Sequence, residues 1–109
     1  MKKLEAIIDP VSLHEVRQAL EAVGVTDLIV SDVRGTDQHG AHTEIYRGME
    51  YTVDLVLRLK LEAIIDDSSV DEAAEAIIEA ATADGVSRVF VCPIEEIGTS
   101  TGDGVTRRS

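Results

Sequence analysis

The hexapeptide LEAIID stands at residues 4–9 and again at residues 61–66, 57 positions apart. In a chain of 109 residues that repetition constrains the fold more than any other feature, because two similar halves must share one core. The likeness continues past the hexapeptide. Ser12-Leu13-His14-Glu15 follows the first copy and Ser69-Val70-Asp71-Glu72 follows the second, at the same offset. Both tetrapeptides read as capping boxes: the serine oxygen accepts from a free amide of the first turn, and the glutamate reaches back. Each leads an amphipathic helix, with Leu13, Val16, Leu20 and Val23 on one apolar stripe and Val70, Ala73, Ile77 and Ala81 on the other. Gly24 and Gly85 suit the C-terminal turns of these helices. Two β-rich segments follow, at 27–33 and 87–94. Asp9 precedes Pro10, which disfavours helix at Asp9 and ends the first strand.

The order is strand–helix–strand, taken twice. The simplest arrangement is an α+β, ferredoxin-like βαββαβ sandwich with both helices on one face of the sheet. Residues 53–62 alternate: Val53, Leu55, Leu57, Leu59 and Leu61 point one way, and Asp54, Val56, Arg58, Lys60 and Glu62 the other. The amphipathic side suits an interface between copies with charged pairs across it, so a closed cyclic oligomer is expected.

Composition excludes several functions. The net charge of −11 and the 3% aromatic content argue against nucleic acid, which requires a basic footprint and stacking platforms. The same charge argues against an anionic membrane surface. No apolar run approaches the roughly 20 residues of a membrane span. The opening MKKLEAIIDP is too short and too acidic for a signal peptide. Cys92 is the only cysteine, so a cytoplasmic, reducing setting is the natural expectation, with Cys92 a small core residue of an apolar strand. His14 reads as an exposed helix residue. No nucleophile–base pair, no carboxylate pair in an apolar pocket and no firm metal triad argues for an enzyme.

Between the second strand, which should end near Gly35, and the next convincing strand near Val53 lies TDQHGAHTEIYRGMEYT. A hairpin needs two to five connecting residues, whereas a connection this long is usually functional or disordered. It holds two histidines, two tyrosines and an arginine on what reads as a mobile arm.

These residues resemble the PII signal-transduction family. MKKLEAIIDP, the EVRQALEAVGV helix, HTEIYRGMEYTVD, the VDEAAEAIIEAA helix and RVFVCPIEEI follow the family's order over about residues 1–97. The resemblance divides the chain into a domain at 1–97, with the family's T-loop at about 36–53, and a tail at 98–109 that is flexible or folds over a neighbouring cleft. It implies a homotrimer without catalysis, nucleotide sites in clefts between subunits, and a T-loop that docks on a target transporter or enzyme. The nucleotide site it implies comprises Ile7, Leu28, Ile29, Gly35, Thr36, Asp37, Gln38, Glu62, Ile64, Gly85, Val86, Ser87 and Arg88. Gln38, His39 and Arg58 stand where the family holds a small anion such as 2-oxoglutarate, with magnesium. Arg47 lies in the partner-contacting loop, and Tyr51 matches a tyrosine that is uridylylated in some bacteria.

The chain departs from the family where phosphates would bind. The segment Thr82–Arg88 keeps one glycine of a TGxxGDGK loop, with Arg88 in place of its lysine. The family's RIRTGE tail reads here Ile97-Gly98-Thr99-Ser100-Thr101-Gly102-Asp103, without its two arginines, and Arg107 and Arg108 substitute only if the tail folds back. Two lost contacts to a charged group correspond to about 3–6 kcal/mol, or on the order of 10²–10⁴ in affinity. ADP or AMP is therefore expected over ATP, with bicarbonate as a companion effector, as in the family's carboxysome-associated branch. Two alternatives stand beside this: a metal-responsive trimer using His39 and His42, and an ordinary nitrogen sensor of ATP and 2-oxoglutarate.

Overall fold

A computed structural model describes the backbone of residues 1–36, 42–46, 49–53, 55–81, 88–102 and 104–107, and the side chains of 1–36, 55–81, 88–100, 102 and 104. Strands β1 (Lys2–Ile8), β2 (Ile29–Thr36), β5 (Leu55–Ile65) and β6 (Arg88–Pro93) form an antiparallel sheet in the order β2-β5-β1-β6. Helices α1 (Leu13–Ala22) and α2 (Val70–Ala80) lie against each other on one face, so the ferredoxin-like α+β architecture holds.

The two copies of the repeat are the two central strands. β1 and β5 pair antiparallel with Glu5 opposite Glu62, Ala6 opposite Leu61 and Ile8 opposite Leu59. Lys3 and Lys60 extend the identity to KLEAIID, so the pairing has a local two-fold axis between Glu5 and Glu62. Alternation then places Leu4, Ala6 and Ile8 with their counterparts Leu61, Ala63 and Ile65 on the helix face, and all six are buried. Val16 and Leu20 of α1 and Ala73 and Ile77 of α2 close this core from above, on the stripes expected from the sequence. Among the described residues the buried apolar side chains are all aliphatic.

The helix starts differ from the capping boxes expected. Ser12 and Ser69 already have helical backbone, at φ −87°, ψ −4° and φ −98°, ψ −5°, and neither side chain makes a capping hydrogen bond. A short 3-10 turn precedes each helix, at Pro10–Ser12 and Asp67–Ser69. The extended residue lies earlier, at Asp9, whose carboxylate accepts from the Val11 amide at 3.0 Å. Pro10 fits the first position of that turn, where its missing N–H costs nothing. At the other end of α1, Gly24 adopts φ +88°; its amide donates to Glu21 and that of Val25 to Leu20. This is a Schellman closure, and it requires the left-handed backbone that glycine adopts without steric cost.

Two segments gain detail, and one further expectation changes. The inserted segment contains β3 (His42–Tyr46) paired with β4 (Met49–Val53), so the described part of the arm is a two-stranded ribbon. Its Thr, Ile, Tyr and Val content suits a pleated pair. The tail also folds back on itself, with β7 (Gly98–Thr101) pairing with β8 (Gly104–Arg107). Gly104, at φ +143°, closes that hairpin opposite Thr101. Cys92 is exposed rather than buried. It pairs with Lys3 across the edge strand β6, which places it on the face of the sheet away from the helices.

Candidate functional site

The helix-free face of the sheet carries an ordered set of charges. Two glutamates directly opposite one another repel, and here two lysines resolve the conflict. Lys3 Nζ lies 2.6 Å from Glu62 and 3.7 Å from Glu5, while Lys60 Nζ lies 3.3 Å from Glu5 and 3.9 Å from Glu62. The hydrogen bond and charge of Lys3 hold the Glu62 carboxyl below its ordinary range, and Glu62 raises the Lys3 ammonium in turn. Further along, Arg58 lies 4.0 Å from Asp9 and donates to the Leu57 carbonyl at 3.0 Å.

Next to this charge square the sheet opens into a groove of about 480 Å³, lined by Lys3, Thr26, Asp27, Leu28, Ile29, Glu62, Ala63 and Ile64. It exists because the two sides of the sheet are not equivalent. β2 starts only at Ile29, opposite Glu62, so among the described residues no strand covers Ile64 from that side. Ile29 and Ile64 are consequently 65% and 57% exposed, two apolar walls with a carboxylate between them. A cleft of a few hundred Å³ with apolar walls and few polar groups has the usual form of a small-molecule site.

Of the residues expected from the sequence, the groove unites Leu28, Ile29, Glu62 and Ile64. It does not contain Ile7 or Arg88, which pair with each other near the opposite edge of the sheet, between β1 and β6. Gly35 and Thr36 lie at the far end of β2, opposite Val56 and Leu55. Arg58 stands between, opposite Val33. Tyr51 sits on β4 with Glu44 as its cross-strand partner. Asp37, Gln38, His39, Arg47, Gly85, Val86, Ser87 and Arg108 lie outside the described residues. Among the described residues no group of three histidine, cysteine, aspartate or glutamate side chains could hold a metal, and no helix is long and apolar enough to cross a membrane.

Lys3, Thr26, Asp27 and Ala63 were not anticipated in the groove. Lys3 carried a readable signal, because it precedes the first LEAIID as Lys60 precedes the second. Thr26 and Asp27 carried none: they line the groove only because the chain crosses the sheet edge after the Gly24 turn.

A family model described as Nitrogen regulatory protein P-II matches residues 1–103. The chain belongs to this P-II family. It is similar to the Nitrogen regulatory protein P-II of Azospirillum brasilense, 42% identical over 112 residues, covering 96% of this chain and 100% of the relative. The protein of that name from Cereibacter sphaeroides is 43% identical and that from Rhodobacter capsulatus 44%, each over 94% of this chain and 95% of the relative. The fold and the family agree, and the family is one of nitrogen-regulatory signalling proteins.

Proposed function

We propose that this P-II protein binds an adenine nucleotide, ADP or AMP in preference to ATP, in clefts completed by neighbouring copies of a homotrimer. The groove beside Ile64 receives the adenine, with Ile29 and Ile64 against its faces and Glu62 at its edge. The arm of residues 36–53 communicates occupancy to a target transporter or enzyme of carbon or nitrogen metabolism. Gln38, His39 and Arg58 take the companion anion, bicarbonate, and Tyr51 and Arg47 belong to the surface the target meets.

One observation carries this reading: the groove and two of the other candidates, Ile7 and Arg88, sit on opposite edges of one sheet, β2–β5 and β1–β6. A site divided between two different edges of the same chain is completed by a head-to-tail contact, and repeated head-to-tail contacts close into a ring. The charge distribution supports the lower nucleotides. Lys3, Lys60 and Arg58 are each paired with a carboxylate, and on this face Arg88 has no ion pair among the described residues. A single uncommitted cation among the described residues of this face suits one or two phosphates better than three. The tail hairpin places Arg107 opposite Gly98, so it returns a cationic residue to the stretch whose sequence had lost its arginines.

Calorimetric titration of the assembled protein with AMP, ADP and ATP, with and without magnesium, tests this reading. ADP or AMP is expected to bind at least as tightly as ATP, and Arg88→Ala is expected to weaken ADP about tenfold while changing AMP less. Micromolar ATP affinity well above that for AMP, strengthened by 2-oxoglutarate, would overturn the preference. It would establish the ordinary nitrogen sensor instead, a reading favoured by the names of the relatives.

A further inference from the structure

The strand β5 is complementary to itself. From Arg58 to Asp66 it reads RLKLEAIID, with cations in the first half and anions in the second. In the native sheet its partner is β1, and the contacts are Lys60 with Glu5, Glu62 with Lys3 and Arg58 with Asp9. The shared heptapeptide makes each β1 group equivalent to a β5 group: Lys3 to Lys60, Glu5 to Glu62, Asp9 to Asp66. A second β5 laid antiparallel about Glu62 would therefore offer the same partners. Lys60 would meet Glu62 of the other copy, Arg58 would meet its Asp66, and Leu59 and Leu61 would meet its Ile65 and Ala63. β1 offers the Lys3–Glu5 contact in the same way about Glu5, with Met1 where β5 has Arg58.

We propose that two copies of this chain can exchange halves, with β5 pairing to β5 and β1 to β1. Register is normally fixed by the burial pattern and by the identity of the partner; along the shared heptapeptide the helix-side burial and the inner partner do not distinguish β1 from the β5 of another molecule, while the outer partners, β6 and β2, do. Between the inner partners, chain connectivity makes the distinction. Within one molecule the two strands meet at an effective concentration in the range of roughly millimolar, so the ordinary pairing wins in dilute solution. Exchange needs the sheet to open, and it gains when chains refold together at high concentration. Exchanging an identical element is a recognised low-cost route to dimers.

The full-length chain carrying Glu62→Cys and Cys92→Ser tests this. Opposed residues of an antiparallel pair have Cα atoms about 4.5–5.5 Å apart, within disulfide reach. After unfolding and refolding, oxidation is expected to give a linked dimer whose fraction rises several-fold between dilute and concentrated refolding. Absence of that dimer overturns the proposal. So does equal linking of protein that was never unfolded, which would assign the contact to the ordinary assembly. A second variant, Glu5→Lys with Lys60→Glu, keeps opposite charges in both of the closest native pairs but sets like charges against each other in β5–β5 and β1–β1. It is expected to lose the exchanged dimer, seen by size-exclusion chromatography, at least fivefold relative to the unmodified chain refolded at the same concentration. An equal yield overturns the proposal.

Discussion

Ile7 and Ile64 occupy the same position in the two copies of one heptapeptide, on the same face of the same sheet, and have different surroundings. Ile7 is half-buried, with Lys60 of β5 on one side and Arg88 of β6 on the other. Ile64 has Lys3 on one side and no described strand on the other, and it is 57% exposed in the wall of the candidate groove. The side chains and the local strand are the same, so the difference is set by where the outer strand begins. A duplicated fold acquires its site where the duplication stops being symmetric.

The largest effect should appear where the two copies remain equivalent. Ile8 and Ile65 are counterparts at 0% and 7% exposure. Truncating either to alanine should cost about 2–5 kcal/mol, as for other core isoleucines, with Ile8→Ala the more severe. Urea denaturation measures this, and a cost near zero for either would show that the two halves do not share one core.

Next comes the turn that carries the chain toward the groove. Gly24→Ala forces a β-carbon into a left-handed backbone at φ +88°, at a cost of about 1–2 kcal/mol. No heavy atom lies within 4 Å of that added carbon, so the cost is conformational rather than steric. A thermal melt with unchanged stability would contradict the Schellman closure.

The comparison is sharpened most by Ile64→Ala. Its side chain is mostly in solvent, so stability should change by less than about 0.5 kcal/mol, while AMP affinity should fall about tenfold, or 1.4 kcal/mol. A large stability loss with unchanged binding would reverse the roles assigned to Ile64 and Ile8.

The smallest effect belongs to the charge square. The folded protein holds the Glu62 carboxyl below its ordinary value of 4.5 through Lys3. The unfolded chain therefore takes up the proton first. The stabilisation is present above that ordinary value and is lost as pH falls through the depressed one. Lys3→Met should flatten this part of the acid limb of a melting-temperature profile; an unchanged limb would show that the pair does not couple to folding. At the alkaline end the sign is opposite. The raised Lys3 contributes fully below its ordinary 10.5 and loses that contribution as pH passes the raised value.

Much of the architecture was legible in the chain itself. Helix stripes at Leu13, Val16 and Leu20 and at Val70, Ala73 and Ile77 followed from a period of 3.6, and strand faces followed from a period of two. The capping boxes misled, because a Ser-x-x-Glu spacing also fits a serine that already lies inside a 3-10 turn begun by an aspartate three residues earlier. Cys92 misled because an apolar run reads alike in a covered strand and in an edge strand with one open face. The arm concealed a ribbon because its polar residues masked alternation too short to separate from a loop.

Sequence alone determined the duplication, the burial of one face of each strand and membership of the P-II family, since each depends on the order and spacing of side chains. Tertiary structure alone decided which of two identical strands would border a groove. It also decided that the two glutamates at the centre of the repeat would oppose each other with two lysines between them. Those outcomes depend on which strands become neighbours and where each begins, and a local pattern carries no information about a neighbour many residues away.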